Sequence, residues 1–165
     1  PVFNADKEVS ELYKKDITIY NKLKKALPKY IHAFPIDKKE ISNAILSNKN
    51  NLKKIIKIVH LEIIKKLNIF LKKNKKKKFV ILDIPILLEN KINQKKDILI
   101  FIQSKKDDIY KRLKKRDNFN QKLLNLFESI QYSSNYKKKK SKFIIKNNFT
   151  KKGVKKEIKN ILKNI

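Results

Sequence analysis

The chain has 165 residues, enough for one domain with a small subdomain, and its 41% hydrophobic and 36% charged residues support a packed core and exclude wholesale disorder. Lys plus Arg total 44 against 15 acids, a formal charge of +29, while zero Cys excludes disulfides, thiolate zinc sites and cysteine nucleophiles together. A single glycine, Gly153, leaves no phosphate-cradling loop of the form G-x-x-x-x-G-K-[ST] among these residues, and the absence of Met makes Pro1 either a processed end or a cut.

The charge first suggests nucleic acid or an anionic membrane. Only Arg112 and Arg116 are arginine, however, which leaves 42 lysines. Lys, Ile and Asn make up more than half of the chain, and all three have A/T-rich codons. Compositional bias coating a solvated surface therefore accounts for most of the basicity, with a basic nucleic-acid-binding protein as the competing reading. No apolar run approaches the ~20 residues of a membrane span. No signal peptide is visible, so a cytoplasmic location is expected.

In chain order, Val2-Phe3 is an apolar stub that ends at Asn4-Ala5-Asp6 and feeds a helix carrying Val9, Leu12 and Tyr13. Asp37-Lys-Lys-Glu40 resembles a capping box and opens a helix through Ile41 and Ile45. A longer helix follows Asn50, with Leu52, Ile55, Ile56, Val59, Ile63, Leu67 and Phe70 on one stripe and His60 beside it. The run from Phe79 to Pro85 is continuous and β-branched, as in a strand covered on both faces, and Ile98 to Ile102 reads the same way. Helical patterns surround Ile109 and Leu113, then Leu123, Leu124, Phe127 and Ile130. A short strand at Phe143–Ile145 precedes a last amphipathic helix with Val154, Ile158, Ile161 and Leu162. Buried strands alternating with helices predict an α/β fold with a parallel sheet.

Ligands of open parallel sheets bind beyond the carboxyl ends of the strands. Three places qualify: Asp6, the Asp83-Ile-Pro85 segment with Glu89, and Gln103-Ser104. Asp6 is either a general base that takes a hydroxyl proton or a helix N-cap. Asp83 ends its strand where a magnesium-binding carboxylate of a nucleotide enzyme would, and where many buried strands also end. Glu89 and Asn90 are substrate contacts or the start of a loop. Arg112 and Arg116, spaced i and i+4, are expected on one helix face, as a bidentate phosphate clamp or as surface partners of Asp108 or Asp117. His60 is a ligand or a satisfied helical histidine. Lys137 to Lys140 is a solvated run, and Asn147-Asn148 reads a base edge or makes a turn. With His32 and His60 the only histidines, no residue is assigned to a metal.

Five segments in register resemble the dephospho-CoA kinases, which have the P-loop kinase fold. They are Asn4-Ala5-Asp6, His60-Leu61, Leu82-Asp-Ile-Pro-Ile-Leu-Leu-Glu89-Asn90, Lys111-Arg-Leu-Lys-Lys-Arg116-Asp117, and Ile144-Ile-Lys-Asn147-Asn148. The resemblance covers essentially the whole chain. It implies a three-layer α/β fold with a parallel sheet and a helical lid, the first strand and P-loop being absent from these residues. Residues 1–165 would form a single kinase domain, with helical substrate-binding and lid portions around 7–74 and 105–140.

The implied reaction moves the ATP γ-phosphoryl group to the ribose 3′-hydroxyl of dephospho-CoA, with Mg²⁺ bridging the phosphates. Asp6 would be the base. His60, Pro85, Leu87 and Glu89 would build the acceptor pocket, Arg112, Arg116 and Lys137 would belong to a lid over the phosphates, and Asn147 would lie near adenine. The expected partners are ATP and dephospho-CoA, with no specific nucleic acid and no membrane; the oligomeric state is left open. A small kinase acting on another nucleoside or nucleotide is the nearest alternative. Three departures stand out: Asn4 replaces an acid, Leu61 replaces proline after His60, and Ser141-Lys142 replaces Ala-Asp. The expected strand, loop and helix upstream amount to roughly 25 residues, and without them the 165 residues alone are expected to be inactive.

Overall fold

A computed structural model describes residues 1–165, which divide into two compact units, Pro1–Pro85 and Ile86–Ile165. The first unit opens on strand β1 (Val2–Asn4) and runs straight into helix α1 (Ala5–Lys15). The helix begins there because the Asn4 side chain accepts the Lys7 N–H at 2.8 Å, which satisfies one of the unpaired amides of the first turn. Asn4 is therefore the cap, and Asp6 lies in the first turn of α1.

Asp16 ends α1 and at once caps α2 (Ile17–Ala26), its carboxylate accepting from Thr18 N at 2.9 Å and Ile19 N at 3.0 Å. The sequence reading did not anticipate α2, whose buried stripe is only Ile19 and Leu23 among polar neighbours. Asp37 caps α3 (Lys38–Ser47) as expected, accepting from Lys39 N at 2.8 Å. The reciprocal half of the capping box is absent, because the Glu40 carboxylate instead accepts the His32 N–H at 3.0 Å.

Helix α4 (Lys49–Lys73) buries Leu52, Ile55, Val59, Ile63 and Leu67, the stripe that its spacing predicts. Asn51 is buried and useful: its amide donates to Ala44 O at 2.8 Å, which satisfies a carbonyl near the end of α3. The core of this unit continues through Leu12, Tyr13, Leu23, Leu27, Ile31 and Ile36, with the Phe3 and Phe70 rings 5.5 Å apart. Each fully buried aliphatic side chain here contributes about 1.5–3 kcal/mol of transfer free energy.

Strand β2 (Ile81–Asp83) pairs in parallel with β1, Val2 opposite Ile81 and Asn4 opposite Asp83. The expected strand over Phe79–Pro85 is thus cut to three residues, since its partner is no longer than that. Coverage on both faces also fails, as Ile81 is 61% exposed.

The second unit contains strand β3 (Ile100–Gln103), helices α5 (Lys106–Lys114), α6 (Gln121–Ser129) and α7 (Ser134–Lys140), strand β4 (Phe143–Lys146) and helix α8 (Lys151–Lys163). β3 and β4 pair in parallel, Ile100 opposite Phe143 and Gln103 opposite Lys146. Here too two-sided burial is not found, with Ile100 43% and Ile102 60% exposed. Ile145 and Ile161 are the buried apolar residues of this unit, a much thinner core than that of residues 1–85. Helix α7 occupies the stretch read as a solvated lysine run. No helix is long and apolar enough to cross a membrane.

Candidate active site

In the first unit the marked residues gather at the carboxyl ends of β1 and β2. Asn4 Nδ2 donates to Asp83 Oδ2 at 2.8 Å while Asn4 Oδ1 caps α1. An aspartate at position 4 has no proton to donate and would set a second carboxylate against Asp83, so the amide suits this chain's own pairing. Asp6 follows directly, exposed in the first turn of α1. Pro85, exposed, leaves the adjacent strand two residues beyond Asp83.

His60 is half-buried on α4, next to the buried Val59. The helix passes through His60-Leu61 without a break, and Leu61 is exposed. A proline at 61 would lack the N–H that continues the helical ladder, so leucine keeps α4 whole. Lys66 Nζ lies 3.1 Å from Glu8 Oε2 and ties α4 to α1.

In the second unit, Leu87 and Glu89 lie in a turn spanning 86–92, with Ile86 at φ 50° and Lys91 at φ 52°, both in the left-handed region. Such backbone is unfavourable for a β-branched residue and persists where the surroundings enforce it. The turn is closed by Asn90 N to Ile86 O, Lys91 N to Leu88 O and Ile92 N to Leu87 O, each 3.1 Å. Glu89 Oε1 accepts from Lys137 Nζ at 2.9 Å and from Tyr132 N at 2.8 Å, so two residues singled out in the sequence for different roles are paired with each other. Tyr132 was not anticipated, because it contributes a backbone amide and no side-chain pattern marks it.

Burial pushes the Glu89 carboxyl up. The hydrogen bond from Lys137, the backbone N–H groups of Glu89 and Tyr132, and the Lys137 charge outweigh it and hold the group below its usual range. A depressed folded-state value means that the pair stabilises fully above the unfolded glutamate pKa of about 4.3 and fades as pH drops through the lower folded value. The gap in urea midpoint between the native chain and Glu89→Gln should be constant from pH 7 to about 5. It should then close in more acid solution, and a gap that persists undiminished at pH 2 would count against the pairing.

The arginines separate. Arg112 lies in α5, whereas Arg116 stands beyond the Lys115 C-cap, its N–H bonded to Leu113 O at 3.0 Å in a tight turn. The expected common helix face is therefore not formed, because the helix stops before the second arginine. Neither bridges Asp108 or Asp117; the ion pairs are made by lysines. The Arg112 guanidinium lies over the Phe149 ring, 4.5 Å from its centre.

Phe149 is in the left-handed region at φ 61°, and its N–H is held by Asn147 Oδ1 at 2.8 Å. Asn147 N in turn donates to Gln103 O at 2.8 Å. Arg112 and Asn147 thus meet through the loop after β4, and Phe149 is the member of this group that sequence pattern did not reveal. The single glycine serves the same loop: a Cβ on Gly153 would come within 3.0 Å of Asn148 Oδ1.

A family model described as dephospho-CoA kinase (CoaE) matches residues 1–152. The chain belongs to the dephospho-CoA kinase family. It is similar to the dephospho-CoA kinase of Wolbachia pipientis wMel, 33% identical over 163 residues that span 98% of this chain and 83% of that protein. The dephospho-CoA kinase of Rickettsia typhi is 32% identical over 163 residues, with 99% and 83% covered. Among solved structures, the crystal structure of TT1252 from Thermus thermophilus matches with a TM-score of 0.73 at 17% identity, over 100% of this chain and 84% of that one. That likeness is one of fold, and with the family match it gives an α/β architecture of the P-loop kinase kind.

Proposed function

We propose that the protein, as its gene encodes it, transfers the ATP γ-phosphoryl group to the ribose 3′-hydroxyl of dephospho-CoA, forming CoA and ADP in the cytoplasm, with residues 1–165 acting within one kinase domain. The observation that carries the reading is the family match over residues 1–152, which includes the Asp6 segment at the β1 tip.

In this reading the Asp6 carboxylate accepts the proton of the 3′-hydroxyl as its O–H bond breaks. The oxygen bonds to the γ-phosphorus while the bond to the β,γ-bridging oxygen breaks and ADP leaves. His60, Pro85, Leu87 and Glu89 line the acceptor side. Arg112, Arg116 and Lys137 belong to the lid, where preorganised cations offset the charge that develops on the phosphoryl oxygens and exclude water. Asn147 belongs to the adenine side.

No group of three His, Asp or Glu gathers to hold a metal by protein ligands alone. In this reading Mg²⁺ would arrive on the nucleotide phosphates, with Asp83 as a supporting carboxylate at the strand tip. Bound there, Mg²⁺ would neutralise phosphate charge. The lysines support no nucleic-acid stripe: they are spread over both units and close the last turns of α1, α2, α4, α5, α7 and α8, where cations favour the helix dipole.

The test is ATP-dependent phosphorylation, in the protein as its gene encodes it, with dephospho-CoA competing against nucleosides and nucleoside monophosphates. Preferential conversion of dephospho-CoA to CoA is expected. Preference for a nucleoside acceptor would move the chain to another kinase specificity. Absence of transfer together with duplex binding that falls steeply with salt would replace the enzyme reading.

A further inference from the structure

We infer that Glu89 and Lys137 form a charged latch that fixes the α6–α7 turn and α7 onto the 86–92 turn, which makes Glu89 a positioning residue acting through Lys137. The inference rests on the kinase reading only in treating α7 as part of the lid.

Three groups converge on the latch from one segment. Glu89 Oε1 accepts from Tyr132 N at 2.8 Å and from Lys137 Nζ at 2.9 Å, and the same ammonium donates to Gln131 Oε1 at 2.8 Å. The Glu89 and Lys137 side chains are only 10% and 21% exposed. By contrast, Lys15–Glu11 and Lys65–Glu62 are neighbours along one helix whose lysines are 75% and 66% exposed. Surface pairs of that kind contribute little, whereas breaking a withdrawn pair strands a charge. Glu89 Oε2 is buried without a hydrogen-bond partner, so the bonds from Lys137 and Tyr132 to Oε1 weigh the more in holding this carboxylate.

The two sides of the latch differ in stiffness. The 86–92 turn is closed by three backbone bonds and holds two left-handed residues, Ile86 and Lys91. Helix α7 is seven residues long, buries none of them, and carries four consecutive lysines from Lys137 to Lys140. Such a helix is marginal on its own, and its like charges repel. Pairing the first of those lysines removes part of the repulsion and anchors the helix.

The chemistry of the ammonium gives the latch its use. Lys137 has three N–H donors, of which Glu89 and Gln131 take two. The third is left with its direction set, which suits one phosphate oxygen. Glu89 thereby determines where that donor points without touching the transferred group.

Amide hydrogen exchange in the full chain tests the latch without substrate. Glu89→Gln and Lys137→Met should each speed exchange of the α7 amides by about tenfold or more while leaving the α1–α4 amides within about twofold. The double variant Glu89→Lys/Lys137→Glu should return α7 protection but not that of Tyr132, since a lysine at 89 cannot accept its N–H. Unchanged α7 exchange in both single variants, or equal acceleration in both units, overturns the latch. In the transfer assay Glu89→Gln should lower kcat by about the same factor as Lys137→Met, whatever it does to the KM for dephospho-CoA on the acceptor side. A kcat lowered by Lys137→Met but untouched by Glu89→Gln would overturn the positioning role of Glu89. Altered exchange in the protein as its gene encodes it, with no transfer to any acceptor, would leave the latch standing and remove the kinase reading instead.

Discussion

Asp6→Asn is expected to lower the rate of phosphoryl transfer by about 10²–10⁴-fold while ATP affinity stays within about twofold, the size of effect that a positioned general base contributes. Asparagine keeps the shape of the side chain and can still accept a hydrogen bond, but it cannot take the hydroxyl proton. The α1 cap is Asn4 rather than Asp6, so its bond to Lys7 N stays in place in the variant. Turnover at saturating substrate and ATP binding by calorimetry, measured side by side, separate chemistry from binding. Turnover within about threefold of the native value would take the base role away from Asp6.

Arg112→Ala and Arg116→Ala should each cost roughly 10²–10³ in kcat, as for the loss of one preorganised donor to a developing oxyanion. Arg112→Lys and Arg116→Lys should recover less than half of that loss on a logarithmic scale. Lysine restores the charge but not the planar fork that grips two oxygens at once. The contrast is informative in a chain that otherwise uses lysine for nearly every cation. At position 112 the lysine variant also gives up the guanidinium stacked on Phe149. Because Arg116 lies beyond the end of α5, the two positions are held by different backbone and their losses should be separable. Full activity in both lysine variants would show that charge alone suffices and would remove the clamp.

The sequence was legible where local rules act alone. Asp37 is a cap because its side chain reaches an amide two residues on, and α4 announces itself through a long apolar stripe. Local rules fell short where a partner decides. Glu40 has the capping-box spacing, yet the His32 amide is available and wins it. Two good cap residues stand two positions apart at Asn4 and Asp6, and only the path of β1 selects the first.

Arg116 keeps helical spacing from Arg112, but the tight turn at Leu113–Arg116 ends the helix between them. The apolar runs at Phe79–Pro85 and Ile98–Ile102 located two strands correctly. How much of each is covered depends on neighbours that such runs do not encode. The candidate site shows the same division. Residue types placed Asp6 at a strand tip and Asn147 after the last strand. The pairing of Glu89 with Lys137, 48 positions apart in numbering, is tertiary and has no local signature.

The lysine coat carries a colloidal consequence. Leu61 and Ile69 are exposed on helix α4, and apolar side chains of this kind invite association between molecules. Lysines stand beside them as gatekeepers: Lys57 and Lys65 lie one turn either side of Leu61, and Lys65 and Lys73 one turn either side of Ile69. With +29 formal charges, two chains repel before these side chains can meet. That repulsion fades as the Debye length falls from about 10 Å at 0.1 M salt to about 3 Å at 1 M, so salt removes the barrier and leaves the apolar attraction intact. The coat thus keeps the molecules apart, and ionic strength sets how well it does so.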